Sequence, residues 1–312
     1  MGERTVTTVY LVRHAEAEGN LYRIAHGQYN GLITDRGYQQ LHVLKKRFDD
    51  VHIDAVYSSD LFRARTTARA VYEPKGLELH LEPAFREIHM GCWDRYIPAL
   101  KRVAAENDGK TIAIFSHGAA MRMVLGTLNG LPLSQVGETP HGDNTAVSLL
   151  EIDGDDIRVV YMNDNSHQVE AGLSTFAKQT WWRDKRMMSG GQYYKDMDEA
   201  TAARFGVPAE GKRIAVWFEN EPVGAVTLLP DRASDAGWIG YYYLEPTMRG
   251  RNYGIPPLGQ AVQFYRERGI DRLRLRCVDE QTRGFFAHYG FYPLEGDVME
   301  KYIGYEPREI VW

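Results

Sequence analysis

The chain has 312 residues, more than one ordinary domain and enough for two, with 44% hydrophobic and 25% charged residues, the balance of a globular protein with sizeable cores. A formal net charge of -5 argues against general nucleic-acid binding, and no apolar run approaches the ~20 residues that a membrane span needs. Residues 1–6 hold no apolar leader core, and two distant cysteines, Cys92 and Cys277, fit a reduced, cytoplasmic setting. The His and Cys spacings form no zinc pattern, so no metal is expected.

Thr5 to Val12 reads as a central strand, being β-branched and largely apolar. Thr34 suits a helix N-cap, with Leu41, Leu44 and Phe48 on one face behind it. Ile53 to Tyr57 is a short apolar strand. Ser59 can cap the next helix, whose inner side carries Ala64, Ala68 and Val71. Leu77 to Leu81 alternates like a strand, Pro98 to Glu106 reads as a helix, and Thr111 to Phe115 as a buried strand. A helix from Gly118 to about Leu128 precedes a hairpin, Thr145–Ile152 and Ile157–Met162, turning at Gly154. Alternating strands and helices imply an α/β domain with a mainly parallel sheet.

In such a sheet the strand ends converge on one rim. Four stretches fall there or in adjacent loops: Val12-Arg13-His14, Ser59-Asp60-Leu61 with Arg63, Arg86-Glu87, and Ser116-His117-Gly118. Two Arg, two His and one carboxylate suit a dianionic phosphoryl group. Arg offers a fixed fork of donors, and an imidazole can attack in line if its other nitrogen is held by a hydrogen bond.

These motifs, in this order, with Thr67-Ala68 and Asn144-Thr145, resemble the histidine phosphatase superfamily, the phosphoglycerate-mutase-like or RHG family, over residues 1 to about 162. The resemblance implies a three-layer α/β fold. It implies that His14 is the nucleophile, that Arg13, Arg63, His117 and Asn20 hold the phosphate, and that Glu87 protonates the leaving group. Arg65, His89 and Arg122 lie near the motifs and match no essential position. The chain departs from the family at Ala15, where Gly is usual, and at Ala17, where a Thr or Ser hydroxyl is common. It also runs almost straight from Trp93-Asp94-Arg95-Tyr96-Ile97-Pro98 into a helix, where the family usually inserts a long segment that covers the site. Either that cap is naturally absent or a segment is missing. Without its basic positions hydrolysis is favoured over mutase action.

From Asn163 to about Ala200 the composition turns aromatic and glycine-rich, with Trp181, Trp182, Gly190, Gly191, Tyr193 and Tyr194, which reads as a junction into a second domain. Strands at Arg213–Phe218, Val223–Leu229 and Trp238–Leu244, a helix from about Pro257 to Arg268 and a strand at Leu273–Val278 suggest α+β. Tyr241–Pro246, Met248–Gly254 and the closing Gly284–Phe291 resemble the GNAT acyltransferase fold. The resemblance implies that Arg249, Gly250, Arg251, Asn252, Tyr253 and Gly254 turn backbone N–H groups to the pyrophosphate of acetyl-CoA, before a helix N-terminus. Asn252 stands at a usual Gly, Pro256 and Pro257 remove amide donors, and Phe286 stands where many members carry an acidic Tyr, with Tyr289 nearby in another register.

The expectation is a cytoplasmic two-domain enzyme: residues 1–165 a histidine phosphatase acting on a small phosphorylated metabolite, residues 166–312 a GNAT-like domain that binds acyl-CoA or transfers from it. The alternatives are a mutase-type phosphotransferase, and an N-acetyltransferase or acyl-CoA sensor whose phosphatase half acts on the same metabolite. No nucleic-acid or membrane partner is expected, and the oligomeric state is open.

Overall fold

The apolar run before Arg13 forms strand β1 (Thr7–Arg13) in the interior of the first of two sheets. The computed structural model describes residues 5–89, 92–176, 192–230, 235–305 and 308–312. The chain divides into one unit of residues 1–21, 25–179 and 307–312 and another of 22–24 and 180–306.

In the first unit β1 is followed by α1 (Glu18–Leu21), α2 (Asp35–Phe48), β2 (Ala55–Ser58), α3 (Phe62–Lys75), β3 (Leu79–Leu81), α4 (Cys92–Glu106), β4 (Thr111–Ser116), α5 (Gly118–Leu128), β5 (Val147–Asp153), β6 (Asp156–Asp164) and α6 (Ser166–Glu170). The sheet order is β3-β2-β4-β1-β5-β6; the first four strands are parallel, and β5 and β6 add antiparallel. β1 is buried between neighbours, so its apolar run is nearly continuous. Alternate residues feed two cores. Val9, Leu11, Ile112 and Ile114 pack with α4 and α5 through Leu100, Val103, Val124 and Leu125. Val12, Val56, Ala113 and Phe115 pack with α2 and α3 through Leu41, Leu44, Phe48, Ala68 and Val71. The result is a three-layer α/β/α unit.

Register decides the site. Arg13 pairs with Ser116, so the residues that follow, His14 and His117, leave adjacent parallel strands at the same level. Thr34 caps α2 as expected, its Oγ1 accepting the Gly37 N–H at 3.1 Å.

Four expectations change. α4 begins at Cys92, not Pro98; the proline lies inside it, where it removes one backbone bond without ending the helix. Ser59 is not the N-cap of α3: that position is Leu61, without a side-chain cap, while Ser59 Oγ accepts the Leu61 N–H at 3.2 Å. The first unit extends past residue 165, because buried Asp143 takes the hydroxyls of Ser174 (2.6 Å) and Thr175 (2.8 Å) and the Asn165 amide (3.2 Å). Residues 308–312 also belong to it: Arg308 pairs with Asp35 at 2.5 Å, and the Trp312 indole donates to Glu73 at 2.8 Å.

In the second unit β7 (Gln192–Asp196), α7 (Glu199–Phe205), β8 (Lys212–Phe218), β9 (Glu221–Leu228), β10 (Gly237–Leu244), α8 (Ile255–Arg266), β11 (Arg272–Arg276), α9 (Glu280–His288), β12 (Tyr292–Pro293) and β13 (Val298–Tyr302) build a sheet of order β12-β13-β11-β10-β9-β8-β7. Only β10 and β11 run parallel, and they pair over Gly237–Ile239 and Leu273–Leu275 alone. A bulge between Ile239 and Tyr241 interrupts the β10–β9 ladder, and from there β10 continues beside β9 but not β11. Trp181, Trp182, Gly190 and Gly191 lie outside the described residues; Tyr193 and Tyr194 lie on β7. No helix among the described residues is long and apolar enough to cross a membrane.

Leu44 is fully buried in the α2–α3 layer. Leu44→Ala should cost about 2–5 kcal/mol of unfolding free energy, read by denaturant titration of the first unit's transition; a loss below about 1 kcal/mol would contradict this packing.

Candidate active site and the loop of the second unit

His14 lies at the end of β1 and is almost fully buried. Its backbone is fixed on both sides: the N–H donates to Ser116 O at 3.0 Å, and the carbonyl accepts the Asn144 amide at 3.0 Å. In the ring, Nδ1 sits 2.7 Å from Ala15 O. A carbonyl can only accept, so Nδ1 carries the proton and Nε2 holds the lone pair. Two further imidazoles flank the ring, His117 at 5.3 Å and His26 at 5.4 Å between centroids.

The cations are placed by backbone carbonyls. Arg13 Nη1 donates to Gly142 O at 2.5 Å. Its guanidinium lies against the start of α5, where a Cβ on Gly118 would come within 2.9 Å of Nε. Arg63, wholly buried on the first turn of α3, donates to Tyr29 O at 2.5 Å and Gly27 O at 3.0 Å. Thr67 ties α3 to the nucleophile loop, accepting the Ala15 N–H at 2.9 Å and donating to Arg63 O at 2.6 Å. Among the described residues, Arg13 Nε, Arg63 Nε, His117 Nδ1 and both His26 nitrogens are buried without a hydrogen-bond partner. Buried polar groups in folded proteins are rarely left so. Five on four residues around one ring describe a cradle for an anion.

Ser59 pairs with the His117 ring. Its Oγ lies 2.8 Å from Nε2; in the tautomer where the hydroxyl donates to Nε2, the His117 proton stands on the partnerless Nδ1. Glu87 completes the set. Its Oε1 accepts the N–H groups of Ala120 (2.7 Å) and Ile88 (2.9 Å), while Oε2 has only a 3.4 Å contact to Ala119 N. It therefore caps α5 from another element, since His117, the N-cap residue, makes no side-chain cap bond. Asn20 turns its Oδ1 to Ala17 N (3.1 Å) and the Asn144 amide (3.4 Å), which ties the turn after the nucleophile to the Asn144 side chain.

Burial, reinforced by the Arg63 cation, holds the imidazoles of His14, His117 and His26 well below the usual histidine range. Burial lowers Arg63 to about 10 and lowers Arg13 too, and both remain cationic at neutral pH.

Thus the structure gathers Arg13, His14, Asn20, Arg63, Glu87 and His117 at one rim. It adds His26 and Ser59, which sequence reasoning missed. A His-Gly pair in a polar loop carries no signal of its own, and Ser59 mimics a helix cap. Of the neighbours left aside, Arg65 lies over the Phe62 ring and Arg122 donates to Thr139 O at 2.5 Å. Among the described residues no group of three or more His, Cys, Asp or Glu is arranged to hold a metal ion.

In the second unit the loop between β10 and α8 has Gly250 and Asn252 at φ of 69° and 68°, which bears out Asn252 as a substitute for Gly in a left-handed turn. Among the described residues, the N–H groups of residues 250–254 meet no backbone acceptor. The carbonyls at its end are held instead: Gln192 donates to Tyr253 O at 2.7 Å, and the Tyr242 hydroxyl to Gly254 O. The side chains of two expected ligands turn inward, Arg249 to Leu244 O at 2.8 Å and Tyr253 into a small apolar cluster. What the loop offers an anion is backbone amides, and the residues present fit a pyrophosphate on that basis. Pro256 and Pro257 occupy the first turn of α8 and withdraw two donors. Phe286 is core, packed on Tyr242 and Phe291.

An α/β unit with buried Arg and His side chains at its rim, and a second unit with a left-handed turn between a strand and a helix, define the class. The family model of the histidine phosphatase superfamily (branch 1) matches residues 9–97 and 94–165, and that of the acetyltransferase (GNAT) family matches residues 177–291. The chain belongs to the histidine phosphatase superfamily and carries a GNAT domain, of the kind that binds acyl-CoA, in its second half. The two phosphatase stretches overlap at 94–97, within the first turns of α4. A probable phosphoglycerate mutase GpmB of Photorhabdus laumondii is 30% identical over 162 residues, 40% of this chain and 75% of that protein. Its namesake in Yersinia pestis is 37% identical over the same length and shares. The solved structure of Bacillus stearothermophilus YhfR aligns with a TM-score of 0.49 at 25% identity, over 52% of this chain and 98% of that one.

Because the three imidazoles bind protons less readily folded than unfolded, the unfolded chain takes up more protons below its ordinary value of 6.5. Stability should therefore fall as pH drops from about 6.5 and be independent of these groups above it. Histidine-selective NMR should show His14, His26 and His117 neutral from pH 7.5 to 5.5; protonation of any of them near 6.5 would contradict the burial described here.

Proposed function

We propose that the first unit hydrolyses small phosphomonoesters through a phosphohistidine on Nε2 of His14. The carrying observation is the pairing of a fixed Nδ1 proton on His14 with five buried, partnerless nitrogens on Arg13, Arg63, His117 and His26. Nε2 attacks phosphorus and the ester oxygen leaves, taking a proton from Glu87, whose Oε2 is the less engaged oxygen. The ring becomes cationic on phosphorylation, and Ala15 O, already accepting from Nδ1, stabilises that charge. Arg13, Arg63 and His117, with the Asn20 amide, hold the equatorial oxygens. His26 adds a ring N–H beside His14, while Ala17 offers no hydroxyl. Water then attacks the phosphohistidine, with Glu87 as base.

The names of the GpmB relatives suggest a second reading, phosphoglycerate mutase action. A mutase must keep its phosphoenzyme and bisphosphorylated intermediate from water. Here the nearby cations are committed elsewhere: Arg86 to Asp60 at 2.6 Å, Arg95 to carbonyls of the Glu87 loop, and Arg122 to Thr139 O. That favours hydrolysis.

For the second unit the reading is acyl-CoA binding through the amides of residues 250–254, with weak or no acyl transfer, because Phe286 offers no acid for a departing thiolate. Arg249 and Tyr253 contribute backbone rather than side chain. This reading places the functional division near residues 165–166, with the segment to 176 serving as support for the first site.

His14→Ala should abolish both turnover and the acid-labile, base-stable phosphoenzyme formed from an activated aryl phosphate; phosphoenzyme retained in that variant sinks the assignment. Glu87→Gln should lower turnover of alkyl phosphates by ~10²-fold or more and spare aryl phosphates, whose leaving groups need less help. Equal losses would make Glu87 structural.

For the second unit, calorimetric titration of the full chain should detect acetyl-CoA, and Gly254→Val should remove the binding. A Cβ at Gly254 has no neighbour nearer than 3.9 Å, so the fold should tolerate the change while the approach of phosphates is blocked. Binding unchanged in that variant would move the ligand elsewhere. Rapid amine-dependent thiol release would overturn the assignment of weak transfer.

A further inference from the structure

We propose that Arg95 is a positioning residue for Glu87: its guanidinium fastens the carbonyls of the Glu87 loop and so aims the leaving-group acid. The inference rests on the reading of Glu87 as that acid.

Arg95 stands in the first turn of α4, where the helix dipole disfavours a cation. Its surroundings explain the exception. Nη2 donates to Arg86 O at 2.8 Å and Glu87 O at 2.6 Å, and Nη1 to Ala84 O, with a longer contact of 3.4 Å to Pro83 O. One planar fork thus collects the carbonyls of four of the five residues from Pro83 to Glu87. The fifth, Phe85 O, accepts from Ser116 at 2.9 Å on the strand that leads to His117. Gln28 adds a second donor to Glu87 O at 3.0 Å, from the loop that carries His26. The Glu87 side chain is held separately, by amides of α5. Its backbone is held by Arg95, so loss of the fork releases one of two anchors of the carboxyl.

The position of Arg95 in the chain adds to this. It lies within the short stretch, 94–97, where the two parts of the phosphatase match overlap. With no long intervening segment, the start of α4 is itself the element that abuts the Glu87 loop, and Arg95 is the side chain that bridges them. A lysine has one compact ammonium and cannot span carbonyls on both sides of the loop, so the role needs the planar fork.

The test compares Arg95→Ala, Arg95→Lys, Glu87→Gln and the double variant Glu87→Gln/Arg95→Ala in the full chain. Each is assayed with glycerol phosphate and with p-nitrophenyl phosphate. Arg95→Ala should lower kcat on the alkyl substrate about tenfold or more, a part of the general-acid contribution, while kcat on the aryl substrate changes less than about threefold. The double variant should be no slower on the alkyl substrate than Glu87→Gln alone, because two residues acting through one proton transfer are not additive. Arg95→Lys should fall between Ala and the parent. If Arg95→Ala does not fold, judged by its thermal melt, the lysine variant carries the test through the same alkyl-to-aryl split. Equal losses on both substrates, or full additivity in the double variant, would make Arg95 a structural staple and overturn the proposal. Absence of a split in Glu87→Gln itself would overturn the assignment of the acid, and this inference with it; a split there without one in Arg95→Ala overturns only the role of Arg95.

Discussion

Two guanidinium groups buried beside three imidazoles are the constraint on which the first unit depends. Arg63 has no exposure, and taking such a cation from water costs several kcal/mol unless it is hydrogen-bonded. Among the described residues no carboxylate is ion-paired to Arg13 or Arg63; the compensation comes from the carbonyls of Gly27, Tyr29 and Gly142, with Glu87 contributing through its field. Carbonyls can be brought to a buried cation only by folding their loops around it. The segments at 26–30 and 139–143 therefore take their course from the charges they neutralise. Burial, with the same cations behind it, keeps His14, His26 and His117 neutral, so the nucleophile and its neighbours are set by one arrangement.

That arrangement was partly legible in the sequence. Strand ends can be read, because an apolar β-branched run stopping at a charged residue marks both strand and rim; β1 and β4 end at Arg13 and Ser116 accordingly. Helices with a clean apolar face were legible as well: α2 with its Thr34 cap, and α5 over Gly118–Leu128. What was not legible depends on distant partners. His26 becomes a site residue only because its loop is drawn in by Arg63, and because Gly19 leaves it space: a Cβ there would lie 2.3 Å from Nε2. The stretch from Asn163 to about Ala200 read as a junction by composition, yet its residues 165–175 are bound to the first unit through Asp143, Asn144, Thr145 and Gln40, partners distant in sequence. Pro98 resembled a helix start, although α4 accommodates it one turn and more inside. Residues 308–312 offer no periodicity from which their attachment to α2 and α3 could be inferred.

The second unit shows the opposite balance. Its sheet and loop were legible because strands and a turn between β10 and α8 carry local signals, and the left-handed φ values of Gly250 and Asn252 explain why those residue types stand there. Its chemistry was less so, because the turn acts through main-chain groups that no side chain advertises. The opening between β10 and β11 follows from a pairing confined to three residues on each strand and from the bulge beyond Ile239, neither of which alternation reveals.

The two sites thus invert each other's construction. In the first, backbone carbonyls hold side chains: Ala15 O fixes His14, Gly142 O fixes Arg13, Tyr29 O and Gly27 O fix Arg63, and the side chains do the chemistry. In the second, side chains hold backbone: Gln192 and Tyr242 occupy the carbonyls of Tyr253 and Gly254, which turns the amides the other way. A site of the first kind depends on the identity of each reacting residue and tolerates little exchange, since neither lysine nor glutamine reproduces a guanidinium fork or a nucleophilic imidazole. A site of the second kind depends on φ and on free space, and accepts any side chain that preserves both. This explains how Asn252 can stand at a usual Gly without loss of the turn, whereas two prolines at the helix start subtract donors outright. It also separates the demands of binding from those of catalysis: backbone amides can hold a pyrophosphate, whereas a departing thiolate needs a proton that Phe286 cannot give.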